Sequence, residues 1–372
     1  MRCTKIISYR SFETVARVVA IYVMASIYRK LFLLYMHEIR HNDAIEYCRQ
    51  NSRRRYRGVK GLKTSRITDN DRTLSINIAG MELRNPIMLA SGYLGISQAI
   101  FNRLYSEDIG AIVSKSISNE PIKGYENPTA VCLEGGSYLN AVGLANPGAE
   151  AFSREIGSNQ NVPIIVSLVG SACQDFPPII NKLDDLNILG YEVNLSCPHV
   201  AKMGMEVGDD LDMVTRVVKT VKSRTVKPVF VKVGIGNVGL LDLARAAYDA
   251  GANAITAINT IRAMCISIES GIPVLSNRIG GLSGKSVKPI AIRCVYEISK
   301  NVGVPVIGCG GIFSWEDAIE FMLAGASAIQ LGSVIGHEGV GTFQKINLGV
   351  KRYLERKGFK NLSELVGLAH RF

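Results

Sequence analysis

From residue 74 onward the chain repeats one pattern: a short apolar run rich in β-branched residues, a polar turn, then a helical stretch. The runs fall at 87–90, 111–114, 164–168, 191–195, 229–233, 254–257, 304–307 and 328–331. Each is too short for a helix and apolar at successive positions, as a strand buried on both faces must be. The stretches between them read as helices, for example 240–250 and 315–324, and these two stop at Gly251 and Gly325. Glycine just past a helix takes the left-handed turn that ends it. Eight such strands alternating with helices over about 300 residues predict an α/β fold, a (β/α)8 TIM barrel. A doubly wound open sheet uses the same units, and strand counting alone does not separate the two.

Charge divides the chain into two parts. Residues 1–72 carry 16 of the 43 Lys and Arg and 6 of the 32 Asp and Glu, whereas residues 73–372 carry 27 and 26. The net charge of +11 therefore belongs to an N-terminal extension, and the barrel, residues 73–372, is close to neutral. A nearly neutral body argues against a nucleic-acid-binding face, which must be basic. Within the extension, apolar residues 18–28 are interrupted by Arg29 and Lys30 before 31–36 resume. A membrane-spanning helix needs ~20 uninterrupted apolar residues, so residues 15–36 read at most as an amphipathic membrane or partner contact. The arginine cluster at 53–57 and the polar stretch after it favour a poorly ordered tail. The extension also holds His37-Glu38-Ile39-Arg40-His41, which matches the H-E-x-x-H zinc-protease pattern. No third ligand follows at useful spacing, so it is read as chance.

The chain has eight cysteines, none in a C-x-x-C pair. Scattered thiols in a chain of this length suit a reducing cytoplasm and give no metal or cluster spacing. An iron–sulfur centre would have to come from a partner.

In a barrel, chemistry gathers where strands end. The residues that follow the predicted strands are polar and specific: Ser91-Gly92, Lys115-Ser116, Asn194, Lys232, Asn259-Thr260, Gly310-Gly311 and Gly332-Ser333. The two glycine loops follow the seventh and eighth strands, where backbone N–H groups approach a phosphate closely. A further glycine run, Gly234-Ile235-Gly236-Asn237-Val238-Gly239, formally fits a dinucleotide fingerprint. It lacks the acidic residue that would take the ribose near position 260, and it reads as a tight turn after Lys232.

Asn194-Leu195-Ser196-Cys197-Pro198-His199 is the most informative stretch. Pro198 forces the residue before it out of helix, so Cys197 stands in a loop among polar neighbours rather than in a packed core. His199 reads either as a donor to a ligand or as a loop histidine in solvent.

Here the sequence resembles the dihydroorotate dehydrogenase family over roughly residues 74–370. The resemblance rests on Ala90-Ser91-Gly92, Ser114-Lys115-Ser116, the run 139–144 with Asn146-Pro147-Gly148, the Cys197 loop, Val231-Lys232, Ile258-Asn259-Thr260, Gly280-Gly281-Leu282-Ser283-Gly284 and the two glycine loops. A cysteine in the loop is similar to the soluble class 1 enzymes, where the membrane-bound class 2 enzymes carry serine. The runs 140–144 and 281–284 look most like the catalytic subunit of the NAD-linked class 1B type.

The resemblance implies FMN-dependent oxidation of (S)-dihydroorotate to orotate in pyrimidine biosynthesis, with Cys197 as the base. It implies substrate contacts from Lys115, Asn140, Ala141, Val142, Gly143, Leu144, Asn194, Asn259 and Thr260. It implies FMN contacts from Ser91, Lys115, Ser116, Asn194, Lys232, Ile258, Gly284, Gly310, Gly311, Gly332 and Ser333, with Lys232 stabilising charge near flavin N1. It also implies a homodimer at the core of a heterotetramer, with FAD and an iron–sulfur cluster on a partner subunit. Ser167 departs from the family, which commonly has an asparagine there, and His199 stands where asparagine is also common. A dihydropyrimidine dehydrogenase-type flavoenzyme acting on uracil or thymine remains an alternative, as does a tRNA-dihydrouridine synthase. A non-enzymatic interaction protein is the broadest, and it predicts a colourless protein.

Overall fold

The computed structural model describes residues 72–157, 161–195 and 210–372. A short antiparallel hairpin, β1 (Ile76–Ile78) and β2 (Met81–Leu83), precedes the first long apolar run. Eight parallel strands then close on themselves: β3 (Ile87–Leu89), β4 (Ala111–Val113), β7 (Ile164–Leu168), β8 (Gly190–Asn194), β9 (Val229–Val233), β10 (Ala254–Ala257), β13 (Val306–Cys309) and β14 (Ala326–Leu331). The ring order is β10-β13-β14-β3-β4-β7-β8-β9, so the open sheet is excluded and the (β/α)8 barrel stands. All eight strands lie at the expected runs. The seventh starts at Val306 rather than 304, since Pro305 has no N–H to give a ladder.

Nine α-helices are described: α1 (Gln98–Tyr105), α2 (Ala149–Ile156), α3 (Phe176–Leu183), α4 (Leu211–Lys222), α5 (Leu240–Asp249), α6 (Lys288–Val302), α7 (Trp315–Leu323), α8 (Ser333–Glu338) and α9 (Thr342–Lys357). In α4, for example, Asp210 caps the first turn by accepting from the N–H of Asp212 and Met213. Its valines 214, 217, 218 and 221 recur at helical spacing and are buried on one face.

Inside the barrel, inward residues of alternate strands stack in layers. The lowest holds Ala111, Ala254 and Ala328, and the next Met88, Ile165, Phe230 and Ile307. Ile78, Met81 and Leu83 of the hairpin pack into this cluster and plug the N-terminal end. Strand alternation then places Val113, Glu192, Thr256 and Gln330 in a third layer, and Ala90, Ser167, Lys232 and Cys309 in a fourth.

The sequence reading missed a second sheet. Strands β5 (Ala130–Leu133) and β6 (Ser137–Asn140) lie between β4 and β7; β11 (Ile261–Met264) and β12 (Ile279–Gly284) lie between β10 and β13. They pair antiparallel in the order β11-β12-β6-β5. Since β4 and β10 stand opposite each other in the ring, this sheet joins two insertions from opposite sides of the barrel mouth.

Candidate active site

The barrel mouth opens into a cavity of about 580 Å³. Its floor is built from strand ends. Lys232, at the end of β9, is 4% exposed; its Nζ donates to Gln330 Oε1 and Ser91 Oγ, each at 3.3 Å, and approaches Cys309 Sγ at 3.9 Å. Asn194, at the end of β8, donates from Nδ2 to Ser116 Oγ at 3.0 Å, and its Oδ1 accepts from Asn259 Nδ2 at 3.2 Å. Ser116 Oγ in turn shares a 2.9 Å hydrogen bond with Ser167 Oγ. These bonds fix side chains from β4, β7, β8 and the β10 end relative to one another, which is the preorganisation a ligand site needs.

Lys115 follows β4, and its backbone N–H donates to Gly95 O at 2.8 Å. Burial holds its ammonium below the ordinary lysine value. Among the described residues its side chain has no hydrogen-bond or ion-pair partner. Among the described residues, the cavity lining includes two lysines and no Asp, Glu, Arg or His. Such a pocket favours ligands that bring negative charge.

The wall opposite the floor is the β6–β12 pair, where Asn140 Nδ2 donates to Gly281 O at 3.1 Å. Asn146 shapes the loop beyond it: its Oδ1 accepts from the N–H of Ser118 at 3.2 Å and of Gly148 at 2.9 Å, and its Nδ2 donates to Leu144 O at 2.8 Å.

At the other end of the cavity, the β13 loop reverses at Gly311, whose φ is +75°. A Cβ there would lie 2.7 Å from Lys288 Cβ and 2.9 Å from Gly284 O, so only glycine fits. At Gly332 a Cβ would meet only Ala90 Cβ, at 3.5 Å, so the backbone there is bare towards the cavity. Asp317 holds the β13 loop, accepting from the N–H of Phe313 at 2.8 Å and of Ser314 at 3.0 Å, with Lys288 Nζ at 2.7 Å. Burial pushes its carboxyl upward, but Lys288 and the two N–H groups outweigh it and hold Asp317 below the usual carboxylate value.

The family model for dihydroorotate dehydrogenase matches residues 73–354, the whole barrel up to the last turn of α9. The chain belongs to the dihydroorotate dehydrogenase family. It is 44% identical over 300 residues to the dihydroorotate dehydrogenase B (NAD(+)) catalytic subunit of Methanocella arvoryzae, covering 80% of this chain and 98% of that one. The protein of the same name from Thermococcus kodakarensis is 45% identical over 297 residues, covering 80% and 98%. That from Methanothermobacter thermautotrophicus is 39% identical over 300 residues, again covering 80% and 98%.

Of the site residues expected from this family, the cavity brings together Ser91, Lys115, Ser116, Asn140, Val142, Gly143, Leu144, Asn194, Lys232, Ile258, Asn259, Thr260, Gly284, Gly310, Gly311, Gly332 and Ser333. Ala141 is the exception. It is fully buried with Leu139 and Leu275 on the far side of the wall, because successive residues of an extended chain face opposite ways and Asn140 takes the cavity side. Cys197 and His199 lie outside the described residues, as do residues 15–36 and His37 and His41. None of the glycines at 234, 236 and 239 lines the cavity.

The sequence reading missed Tyr93, Tyr138, Cys309, Phe313 and Gln330, which also line it. Gln330 carried a usable signal: a polar residue at an inward position of a strand that is otherwise apolar. Cys309 sat inside a motif read only for its glycines, and burial pushes its thiol upward, away from thiolate chemistry. Among the described residues no helix is long and apolar enough to cross a membrane, and no group of His, Cys, Asp and Glu is placed to hold a metal.

Proposed function

We propose that this chain catalyses the FMN-dependent oxidation of (S)-dihydroorotate to orotate in pyrimidine biosynthesis, as the catalytic subunit of a class 1B enzyme. The observation that carries the reading is Lys115: a half-buried ammonium, unpartnered among the described residues, in a cavity whose described lining carries lysines and amides and no carboxylate. Dihydroorotate is a carboxylate with amide edges, and these groups match it in charge and in hydrogen-bonding capacity.

The residues present also fit FMN. The bare backbone at Gly332, beside the Gly310-Gly311 loop and the start of α8, makes a cradle that a Cβ would fill, and it suits a phosphate. Lys232 and Ser91, hydrogen-bonded to each other at the cavity floor, are among the residues that would hold FMN. When bound, FMN supplies the two-electron acceptor for the hydride that leaves C6 of the substrate.

The chain's own residues do the remainder. Lys115 binds the substrate's negative charge. Asn140, Asn194, Asn259 and Thr260 orient its ring edges and carboxylate. Cys197, as thiolate, takes the proton from C5, so a proton and a hydride leave and a double bond forms. Lys232 stabilises negative charge at the cavity floor. The physiological setting that goes with this reading is cytoplasmic: a homodimer at the core of a heterotetramer, with FAD and an iron–sulfur cluster on the partner subunit. The relatives are named catalytic subunits of NAD(+) enzymes, which supports a separate electron-transfer subunit.

The test is anaerobic mixing of purified protein with dihydroorotate while the visible flavin absorbance is followed. Bleaching supports the reading. A yellow protein that bleaches only with a reduced nicotinamide and not with dihydroorotate points to another pyrimidine, and a colourless protein that takes up no added FMN ends the reading.

A further inference from the structure

Glu192 has no part in the proposed reaction, yet it is a fully buried carboxyl group in the middle of the barrel. It stands on β8 two residues before Asn194, in the layer beneath Lys232 and Cys309. Packing alone would be served there by a residue like Val113 in the same layer, whereas a buried carboxylate costs several kcal/mol unless it is compensated.

The compensation is directional. Glu192 Oε2 accepts from Thr256 Oγ1 at 2.8 Å and from Gln330 Nε2 at 2.6 Å, while Oε1 has no hydrogen-bond partner among the described residues. Gln330, 1% exposed, turns its other end towards the floor, where Oε1 accepts from Lys232 Nζ at 3.3 Å. The amide is thus clamped with its nitrogen on the anion and its oxygen on the cation. It links two opposite charges that stand on adjacent strands.

We infer that Glu192 is the counter-charge of Lys232. Through Gln330 it holds the ammonium at the cavity floor and offsets part of its field, and so it sets how strongly the floor favours negative charge in the ligand above. Because interior charges are screened far less than surface ones, a carboxylate one layer below the floor acts on that ligand even without touching it. The inference rests on the FMN reading, in which the ligand gains negative charge on reduction. Glu192 then lowers the flavin's midpoint potential. It is a positioning residue, not a catalytic one.

The experiment is anaerobic redox titration of the flavin in the holoprotein, with thermal melting followed in parallel, for the wild type and for Glu192→Gln, Glu192→Asp and Gln330→Met. Glu192→Gln removes the charge and offers Gln330 a competing amide. It is expected to favour the reduced form at least tenfold, which is an upward shift of ~30 mV for a two-electron couple. Gln330→Met, which cuts the relay but keeps the carboxylate's field, loosens the ammonium and shifts the potential downward by less. Glu192→Asp keeps the charge and stays near the wild type. A role confined to packing would lower the melting temperature of all three and leave the potential in place, and that result overturns the inference. If Glu192→Gln does not fold, an unmoved potential in Gln330→Met overturns it equally. A wild type without flavin removes the functional reading and this inference with it, whereas a flavoprotein whose potential ignores both substitutions removes the inference alone.

Discussion

The lower and upper halves of the barrel interior are filled on opposite principles. Below, three alanines and then Met88, Ile165, Phe230 and Ile307 pack against the β1–β2 hairpin, with no charged side chain in the cluster. Above, the same strands present Glu192, Thr256 and Gln330, then Ser167, Lys232 and Cys309. The β8–β9 ladder keeps one register from Tyr191↔Val229 to Asn194↔Lys232, and the character of the interior changes only through the side chains that point inward. The lower half earns stability from apolar burial. The upper half gives up some of that gain, and its polar groups remain tolerable because they hydrogen-bond to one another. One ladder of strands thus carries a packed support and, two residues further along, an electropositive floor.

Four substitutions test that division, in decreasing order of expected effect. Cys197→Ala, three residues beyond β8 in sequence, is expected to lower turnover by ~10²–10⁴-fold, the usual worth of a positioned proton acceptor. Flavin content should stay at one per chain by absorbance, and turnover within tenfold of the wild type would remove Cys197 as the base. Phe230→Ala, in the lower half, should cost ~3–5 kcal/mol by denaturant unfolding. The fraction that stays folded should keep its KM, and a large KM change would show that the halves are not separable.

Lys115→Met should weaken orotate binding by about 10–100-fold, as loss of a charged hydrogen bond of ~1.5–3 kcal/mol implies. The sign of its pH dependence follows from burial. The free site holds Lys115 below its ordinary value, so its charge is lost at lower pH than that of a solvent lysine. An anionic ligand restores the charge, and binding takes up protons on the alkaline side. Orotate affinity therefore falls as pH rises towards ~10.4, the value of an exposed lysine. Calorimetry in buffers of different ionisation heat measures that uptake, and an equal uptake in Lys115→Met would assign it elsewhere.

Asp317→Asn, at the end proposed for the FMN phosphate, should cost ~1 kcal/mol of the loop's order, like loss of a helix cap, and raise the apparent FMN Kd several-fold. The native carboxyl lies below its unfolded value of ~3.9, so its contribution is present above that value and lost as pH falls through the folded one. FMN retention in the variant should be correspondingly less sensitive to acid, which reconstitution of the stripped protein at pH 5 and pH 3 would show.

Much of this was legible in the sequence, for a physical reason. Strands buried on both faces must be short and apolar, so β3 to β14 of the ring could be read one by one, and the polar residues at their ends marked the rim. The β5–β6–β11–β12 sheet was not legible. Its strands carry glycines at 280, 281 and 284 and polar residues such as Arg262 and Ser283, and they are only half buried, so no apolar period announces them. That the Ala141 side chain turns away from the cavity was not legible for the same reason: a loop motif does not reveal that its chain is extended and that neighbours face opposite ways. Glu192 lay unnoticed within a strand that had been identified correctly, because a single charged letter in an apolar run does not say which face it takes.

The sheet across the barrel mouth also bears on how the chain becomes active. Its central pairing, β6 with β12, joins Asn140 to Gly281, positions 141 residues apart. Contacts between such distant segments carry a loop-closure cost that must be met before the contact stabilises anything. The barrel strands between them fold through nearer neighbours. The barrel itself closes over a still longer span, Ile87 of β3 against Ile329 of β14, so a chain released before its second insertion has been synthesised lacks β12 for the wall and Cys309 and Gln330 for the floor. Competence to bind ligand thus belongs to the closed ring as a whole and does not accumulate strand by strand.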